Sequence, residues 1–132
     1  EDYLDYVVVT NVQSSSISII DKKKFNLLKN IRVGKWPYSA VHDKINNYLY
    51  ITNQRDDSIS IIDMEKKEKV KTLFDVCEYP EGIDISYTQN LIVVACWFED
   101  NIILINLNDF SVKKKIETSG GPRAFGSFII KK

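Results

Sequence analysis

In YLYITNQRDDSISIID, residues 48–63, apolar and polar residues alternate on both sides of a charged turn. Such alternation is typical of β-strands with one buried face, so this stretch predicts a hairpin of two strands. The same phrase occurs 42 residues earlier as YVVVTNVQSSSISIID, residues 6–21. The repetition predicts an architecture assembled from similar units.

Three sets of landmarks recur along the chain at a spacing of 42–44 residues. They are the pairs Thr10-Asn11, Thr52-Asn53 and Cys96-Trp97, the segments ISIID (17–21), ISIID (59–63) and IILIN (102–106), and the prolines Pro37, Pro80 and Pro122. Because three separate landmarks recur at the same spacing, the period indicates internal duplication. The resulting repeats are roughly 6–37, 38–80 and 81–122, followed by a final inner strand at 123–130.

Each repeat divides into four short strands. In the second repeat these are predicted at 38–43, 48–53, 58–63 and 69–75, and the turn after the third strand begins with Asp63. Asp21 and Asn106 occupy the same position in the other repeats, and their short side chains can bond to nearby backbone amides and start a turn. Four-stranded units of about 40–45 residues are typical of β-propeller blades, so the predicted class is an all-β propeller with antiparallel blades.

The phrases VVVTN (7–11), YITN (50–53), SISIID (16–21 and 58–63) and IRVGKWP (31–37) resemble the YVTN-type β-propeller repeat. The resemblance covers almost the whole chain, although VVACW (93–97) departs from it in the third repeat. It implies a propeller fold and an extracytoplasmic setting, periplasmic or secreted. It says little about activity, because propellers host many functions.

The ends of the chain are permuted relative to the repeat. The chain opens at a second-strand position, residues 6–11, and closes on a first strand at 123–130 that resembles the C-terminal end of such propellers. Three blade equivalents are too few for a closed ring, which needs about four to eight. Two arrangements therefore stay open: the C-terminal part of a longer propeller, or a homodimer that exchanges terminal strands. An unclosed three-blade arc is the remaining alternative.

Composition narrows the classes of partner. The 132 residues include 18 Lys and Arg against 18 Asp and Glu, so no overall charge points to nucleic acid. No apolar run is long enough for a membrane span, and EDYLDYVVVT (1–10) lacks the order of a signal peptide. Cys77 and Cys96 are too few for a disulfide framework, and two buried or half-buried free thiols are the preferred interpretation, with a disulfide as the alternative.

Propeller connectivity places the proline-containing connections and the loops after the second strands on one rim. Aromatic and charged side chains alternate there, a pattern that suits recognition of a protein, a peptide or a glycan. The competing interpretation is that Trp36 and Tyr79 wedge between neighbouring blades. The candidate binding residues are Trp36, Tyr38, Arg55, Asp57, Tyr79, Glu81, Trp97, Phe98 and Arg123.

No catalytic residue, metal ligand set or cofactor is assigned from the sequence. His42 is the single histidine and lacks partners for a triad or a histidine-based metal cluster. Asp43, Glu81 and Asp84 lie near the expected axis and give only a weak signal for a divalent cation. The leading function is thus a non-enzymatic binding or scaffold module. The alternative is part of a propeller enzyme, a lactonase-like hydrolase or a haem- or quinone-dependent oxidoreductase, with its ligands on other blades.

Overall fold

The computed structural model describes residues 5–132, and it contains eleven strands in three antiparallel sheets. Residues 1–4, which begin the N-terminal stretch considered above, lie outside the described part. The first sheet has three strands and the other two have four, and in each the strands are hydrogen-bonded in sequence order. The strands are β1 Tyr6–Asn11, β2 Ser16–Asp21, β3 Asn26–Arg32, β4 Pro37–Asp43, β5 Tyr48–Asn53, β6 Ser58–Asp63, β7 Glu68–Leu73, β8 Pro80–Ser86, β9 Leu91–Cys96, β10 Asn101–Asn106 and β11 Val112–Glu117.

The opening phrase forms the predicted hairpin. Tyr48 pairs with Asp63 and Asn53 pairs with Ser58, so β5 and β6 are in register over their full length. The turn that follows β6 begins at Asp63, whose Oδ1 accepts the amides of Glu65 at 2.9 Å and Lys66 at 3.1 Å. These contacts confirm the predicted hairpin and the predicted turn chemistry.

The same turn forms after the third strand of the other two repeats. Asp21 Oδ1 accepts the amides of Lys23 and Lys24, each at 2.8 Å. Asn106 Oδ1 accepts the amide of Asn108 at 2.8 Å. A local motif read from three sequence positions is therefore found at all three.

Isoleucine-rich faces hold the sheets together along two seams. The first seam lies between the sheets β1–β3 and β4–β7, and the second between β4–β7 and β8–β11. Because successive side chains in a strand point to opposite faces, the middle sheet contributes Ile51 and Ile62 to the first seam and Tyr50 and Ile61 to the second. All four are at most 1% exposed, and burial of each side chain contributes about 1.5–3 kcal/mol to folding.

Threonine side chains also connect neighbouring sheets. Thr10 Oγ1 donates to the backbone oxygen of Tyr38 at 3.1 Å, and Thr52 Oγ1 donates to that of Glu81 at 2.8 Å. Strand pairing places Ala95, not Cys96, at the equivalent position of the third sheet. The sequence alignment of Cys96-Trp97 with Thr52-Asn53 was therefore wrong by one residue, and Cys96 is the structural equivalent of Asn53.

Residues 123–130 form no strand in the described part of the chain, although a final inner strand was expected there. A strand needs a neighbour whose backbone groups are free and in register. The segment instead lies alongside β8 and is held mainly by side-chain contacts, which are described below. Among the described residues, no helix is long and apolar enough to span a membrane.

Candidate binding surface

The connections that enter β4 and β8 meet the loops that leave β5 and β9, as the sequence predicted. The amide of Gln54 donates to the backbone oxygen of Trp36 at 2.9 Å, and the amide of Trp97 donates to that of Tyr79 at 3.2 Å. These equivalent hydrogen bonds join two loops at each seam. We call this end of the molecule the rim.

Three of the candidate residues form a contiguous aromatic surface at the second seam. The rings of Tyr79 and Phe98 stack with centroids 4.6 Å apart and an interplanar angle of 26°. Trp97 lies 5.3 Å from Tyr79 and 5.2 Å from Phe98. Tyr79 and Trp97 are half-buried, whereas Phe98 is 59% exposed. We call this cluster (Tyr79, Trp97 and Phe98) the aromatic platform.

A disulfide bond joins Cys77, two residues before Tyr79, to Cys96, one residue before Trp97. The preferred expectation of two free thiols was therefore wrong. The bond links the loop that carries Tyr79 to the end of β9, which precedes Trp97. The two Cα atoms are 5.9 Å apart. Both cysteines are buried, so the two loops that present the platform are covalently joined from within.

At the first seam, the two positions equivalent to Cys77 and Cys96 are not joined by a disulfide bond. Pro37 pairs with Asn53 and Pro80 pairs with Cys96, so Asn53 is the equivalent of Cys96. Gly34 and Cys77 each lie three residues before these prolines and are equivalent in turn. A Cβ atom on Gly34 would lie 2.6 Å from Asn53 Cγ, so the amide side chain needs the space that glycine leaves. Asn53 Nδ2 in turn donates to Ser58 Oγ and Ser60 Oγ, both at 3.0 Å.

Two carboxylates hold the rim loops in place, and sequence reasoning missed this role. Asp57 Oδ1 accepts the amide of Tyr79 at 3.0 Å, and Asp100 Oδ1 accepts the amide of Gly121 at 2.7 Å. Asp57, a candidate binding residue, thus positions the platform. The repeated acidic residue four positions after the end of β5 and of β9 was the available signal.

Tyr38, Glu81 and Arg123 each follow the proline of their repeat, and the structure brings them together. Arg123 Nε forms an ion pair with Glu81 Oε1, and Arg123 Nη2 donates to the Tyr38 hydroxyl at 3.3 Å. Glu81 is fully buried. The hydrogen bond from Arg123 to Glu81 raises the pKa of the guanidinium. The guanidinium also lies 4.8 Å from the centre of the Trp97 ring.

The remaining candidates, Trp36 and Arg55, form a separate pair at the first seam. The guanidinium carbon of Arg55 lies 3.6 Å from the centre of the Trp36 ring, which is half-buried. The nine candidates therefore divide into a larger group around the second seam and this pair.

The acidic residues considered for a metal site are already engaged. Asp43 Oδ2 accepts Asn46 Nδ2 at 2.7 Å and the Tyr50 hydroxyl at 3.2 Å. Across residues 5–132, no group of three or more His, Cys, Asp and Glu side chains could hold a metal ion. His42 Nε2 lies 3.0 Å from Asn47 Oδ1, within an ordinary strand end.

Asp84 fastens the C-terminal segment to β8. Its Oδ2 accepts the amides of Phe128 at 2.8 Å and Ile129 at 3.0 Å and the hydroxyl of Ser127 at 3.1 Å. Burial alone would raise the pKa of this carboxyl, but the amides of Ile129, Ile85 and Phe128 together hold that pKa below its ordinary value.

A cavity of about 360 Å³ lies at the opposite end of the strands from the rim. Val8, Ala40, His42 and Leu49 are among its lining residues. At the second seam, Val41 of β4 packs against the equivalent core cluster, whereas the first sheet has no corresponding inner strand within residues 5–132. The cavity is thus the space beside the open edge of β1, and it is separate from the candidate residues.

The sequence matches no protein-family model and no curated protein. Among solved structures, it is similar to the hydrazine synthase of Kuenenia stuttgartiensis, with a TM-score of 0.83 and 25% identity over 90% of this chain and 34% of that one. It is also similar to apo AztD of Citrobacter koseri, with a TM-score of 0.73 and 20% identity over 89% and 33%. Dihydro-heme d1 dehydrogenase NirN, in complex with DHE, gives a TM-score of 0.72 and 15% identity over 86% and 24%.

These structural neighbours are propeller proteins. The chain spans about a third of the length of the first two and less of the third. The similarity supports the all-β assignment with propeller-like antiparallel sheets.

Proposed function

We propose that the chain is a non-enzymatic binding or scaffold segment of a YVTN-type β-propeller that recognises a protein, peptide or glycan through its rim. The observation that carries this proposal is the aromatic platform, in which Phe98 is 59% exposed. Exposed aromatic rings on a rigid support are typical anchors of binding surfaces. Aromatic side chains also lose little conformational entropy when they bind, because they have only two rotatable side-chain bonds.

The rigidity of the platform supports a binding role. The disulfide between Cys77 and Cys96 joins its two loops, and Asp57 fixes the amide of Tyr79. A surface that is ordered before binding loses less entropy when a ligand arrives, and this strengthens affinity. The disulfide also supports an extracytoplasmic setting, periplasmic or secreted, because such bonds persist mainly in oxidising compartments.

Binding to panels of immobilised proteins, peptides and glycans tests the proposal, with Phe98→Ala compared with the wild-type chain. Phe25→Ala is the matched control, because Phe25 is 85% exposed at the opposite end of the strands. We expect Phe98→Ala to lose binding and Phe25→Ala to retain it. Trp97→Ala should also weaken binding, and circular dichroism should show that both rim variants stay folded. Equal binding by all variants would contradict the proposal.

The enzymatic alternative makes a different prediction for the purified protein. Elemental analysis and an absorption spectrum would then reveal a bound cation or a chromophore in stoichiometric amount. We expect neither. A mass measurement in solution will separately distinguish a monomer from a homodimer that exchanges terminal strands.

A further inference from the structure

Equivalent positions at the two seams have the same backbone geometry but carry side chains of different kinds. At the first seam, Arg55 lies over the ring of Trp36 at 3.6 Å. At the second seam, Phe98 is the equivalent of Arg55 and stacks on Tyr79, the equivalent of Trp36, at 4.6 Å. At the first seam a cation of the chain itself therefore covers the aromatic ring. At the second seam Arg123 lies over Trp97, but the equivalent position holds Phe98, which is 59% exposed.

The charges beside the rings are reversed as well. Lys35 precedes Trp36 at the first seam, and Glu78 precedes Tyr79 at the second. Glu78 is exposed, and its backbone amide donates to Glu99 Oε1 at 2.9 Å, so the backbone of Glu78 lies next to the loop that carries Trp97 and Phe98. The second seam thus combines open aromatic surface with negative charge.

Most of the nearby positive charge is already paired. Lys115 forms an ion pair with Glu99 at 3.1 Å, and Arg123 forms one with the buried Glu81. Within the described residues, neither Glu78 nor Asp100 forms an ion pair. Glu78 directly precedes Tyr79 in the chain, and Asp100 is two residues after Phe98. Asp100 holds the amide of Gly121 through Oδ1, so among the described residues its Oδ2 is the oxygen left for a partner.

We infer that the platform binds an arginine-bearing basic segment of a partner protein. The guanidinium of the partner lies on the open face of Phe98 and is balanced by the carboxylates of Glu78 and Asp100. Planar guanidinium groups stack well on aromatic rings and bind carboxylates at the same time. Arg55 on Trp36 is an example of this stacking within the chain. An acidic segment would be repelled at this site. The inference rests on the proposed function and names the chemistry of the partner.

Fluorescence anisotropy with short labelled peptides provides the test. One peptide alternates arginine with glycine and serine, and matched peptides replace each arginine with glutamine or glutamate. We expect the 132-residue chain to bind the arginine peptide most tightly and the glutamate peptide least tightly. Added salt should weaken the binding of the arginine peptide, because salt screens the attraction between exposed charges.

A double variant, Glu78→Lys with Phe98→Arg, gives the second seam the side chains of the first. The fold should tolerate this exchange, since Lys35 and Arg55 occupy the equivalent positions. We expect the variant to bind the arginine peptide about tenfold more weakly or worse, through loss of the stacking surface and of a carboxylate. The control is Glu65→Lys with Phe25→Arg, which changes the net charge equally at the opposite end of the strands and should retain binding.

The remaining outcomes distinguish a failure of the inference from a failure of the proposed function. Equal affinity for the arginine, glutamine and glutamate peptides overturns the inference, as does an equal loss in both double variants. Binding of a neutral peptide or a glycan that depends on Phe98 but not on Glu78 overturns the inference and leaves the proposed function in place. Absence of any ligand that depends on Phe98 overturns both.

Discussion

Removal of the disulfide should destabilise the chain by about 3 kcal/mol. Cys77 and Cys96 are separated by 19 residues in sequence, and closing a loop of that length in the unfolded chain accounts for a stabilisation of this size. For a chain of 132 residues this corresponds to a lower midpoint of thermal unfolding by about 10 °C. Urea unfolding of the double variant Cys77→Ala with Cys96→Ala, followed by tryptophan fluorescence, measures this loss of stability.

The wild-type chain unfolded in the presence of a reductant is the matched control. It should reproduce the free energy of unfolding of the double variant, because both lack the covalent bond. The urea dependence should also become steeper, since the uncrosslinked chain exposes more surface when it unfolds. A double variant within 0.5 kcal/mol of the oxidised wild type, well below the ~3 kcal/mol expected from loop closure, would refute the reasoning.

Three further predictions concern the contacts around β8. In Asp84→Asn, the backbone amides that this carboxyl holds should lose protection from hydrogen exchange at neutral pH. In the wild type, the pKa of the folded Asp84 is lowered, so its contacts are fully present above the ordinary pKa of 3.8 and weaken as the pH falls through the lowered pKa. NMR will follow both changes. Gly82→Ala should destabilise by about 1–3 kcal/mol in thermal unfolding, because its Cβ would lie 2.7 Å from that of Ala124. Arg123→Ala should lower the thermal midpoint more than Arg123→Ala with Glu81→Gln, because only the single variant leaves a buried carboxylate unpaired. The reverse order would contradict the expected cost of leaving the buried carboxylate of Glu81 without Arg123.

The strands and turns could be predicted because their causes are local. Alternation along residues 48–63 specifies which face of each strand is buried, and Asp63 forms its turn with residues two and three positions away. The rim was predictable in the same way, since the repeat period fixes which loops share an end. Tyr79, Trp97 and Phe98 were among the candidates for that reason, and the structure brings them into contact.

The disulfide could not be predicted from the cysteines considered singly. It joins two loops of adjacent repeat equivalents, and a one-residue error in the alignment of Cys96 concealed its equivalence to Asn53. With the correct register, one chain contains two versions of the same contact: Gly34 with Asn53, and Cys77 with Cys96. The simultaneous replacement of both residues of this contact by cysteine in the next repeat is therefore the signal that would have predicted the disulfide.

The departures from the repeat occur together because one physical requirement connects them. Phe98 contacts Tyr79 and Trp97 but leaves aromatic surface open to solvent, whereas at the first seam Arg55 covers Trp36. At the second seam, Phe98 is 59% exposed, and the covalent bond between Cys77 and Cys96 adds to the hydrogen bonds that order the two loops. Locally unfavourable features are expected where function needs them and where compensation is at hand. The disulfide and the open platform are thus two parts of one arrangement, in which the covalent constraint keeps an aromatic surface ordered while leaving its face free for a partner.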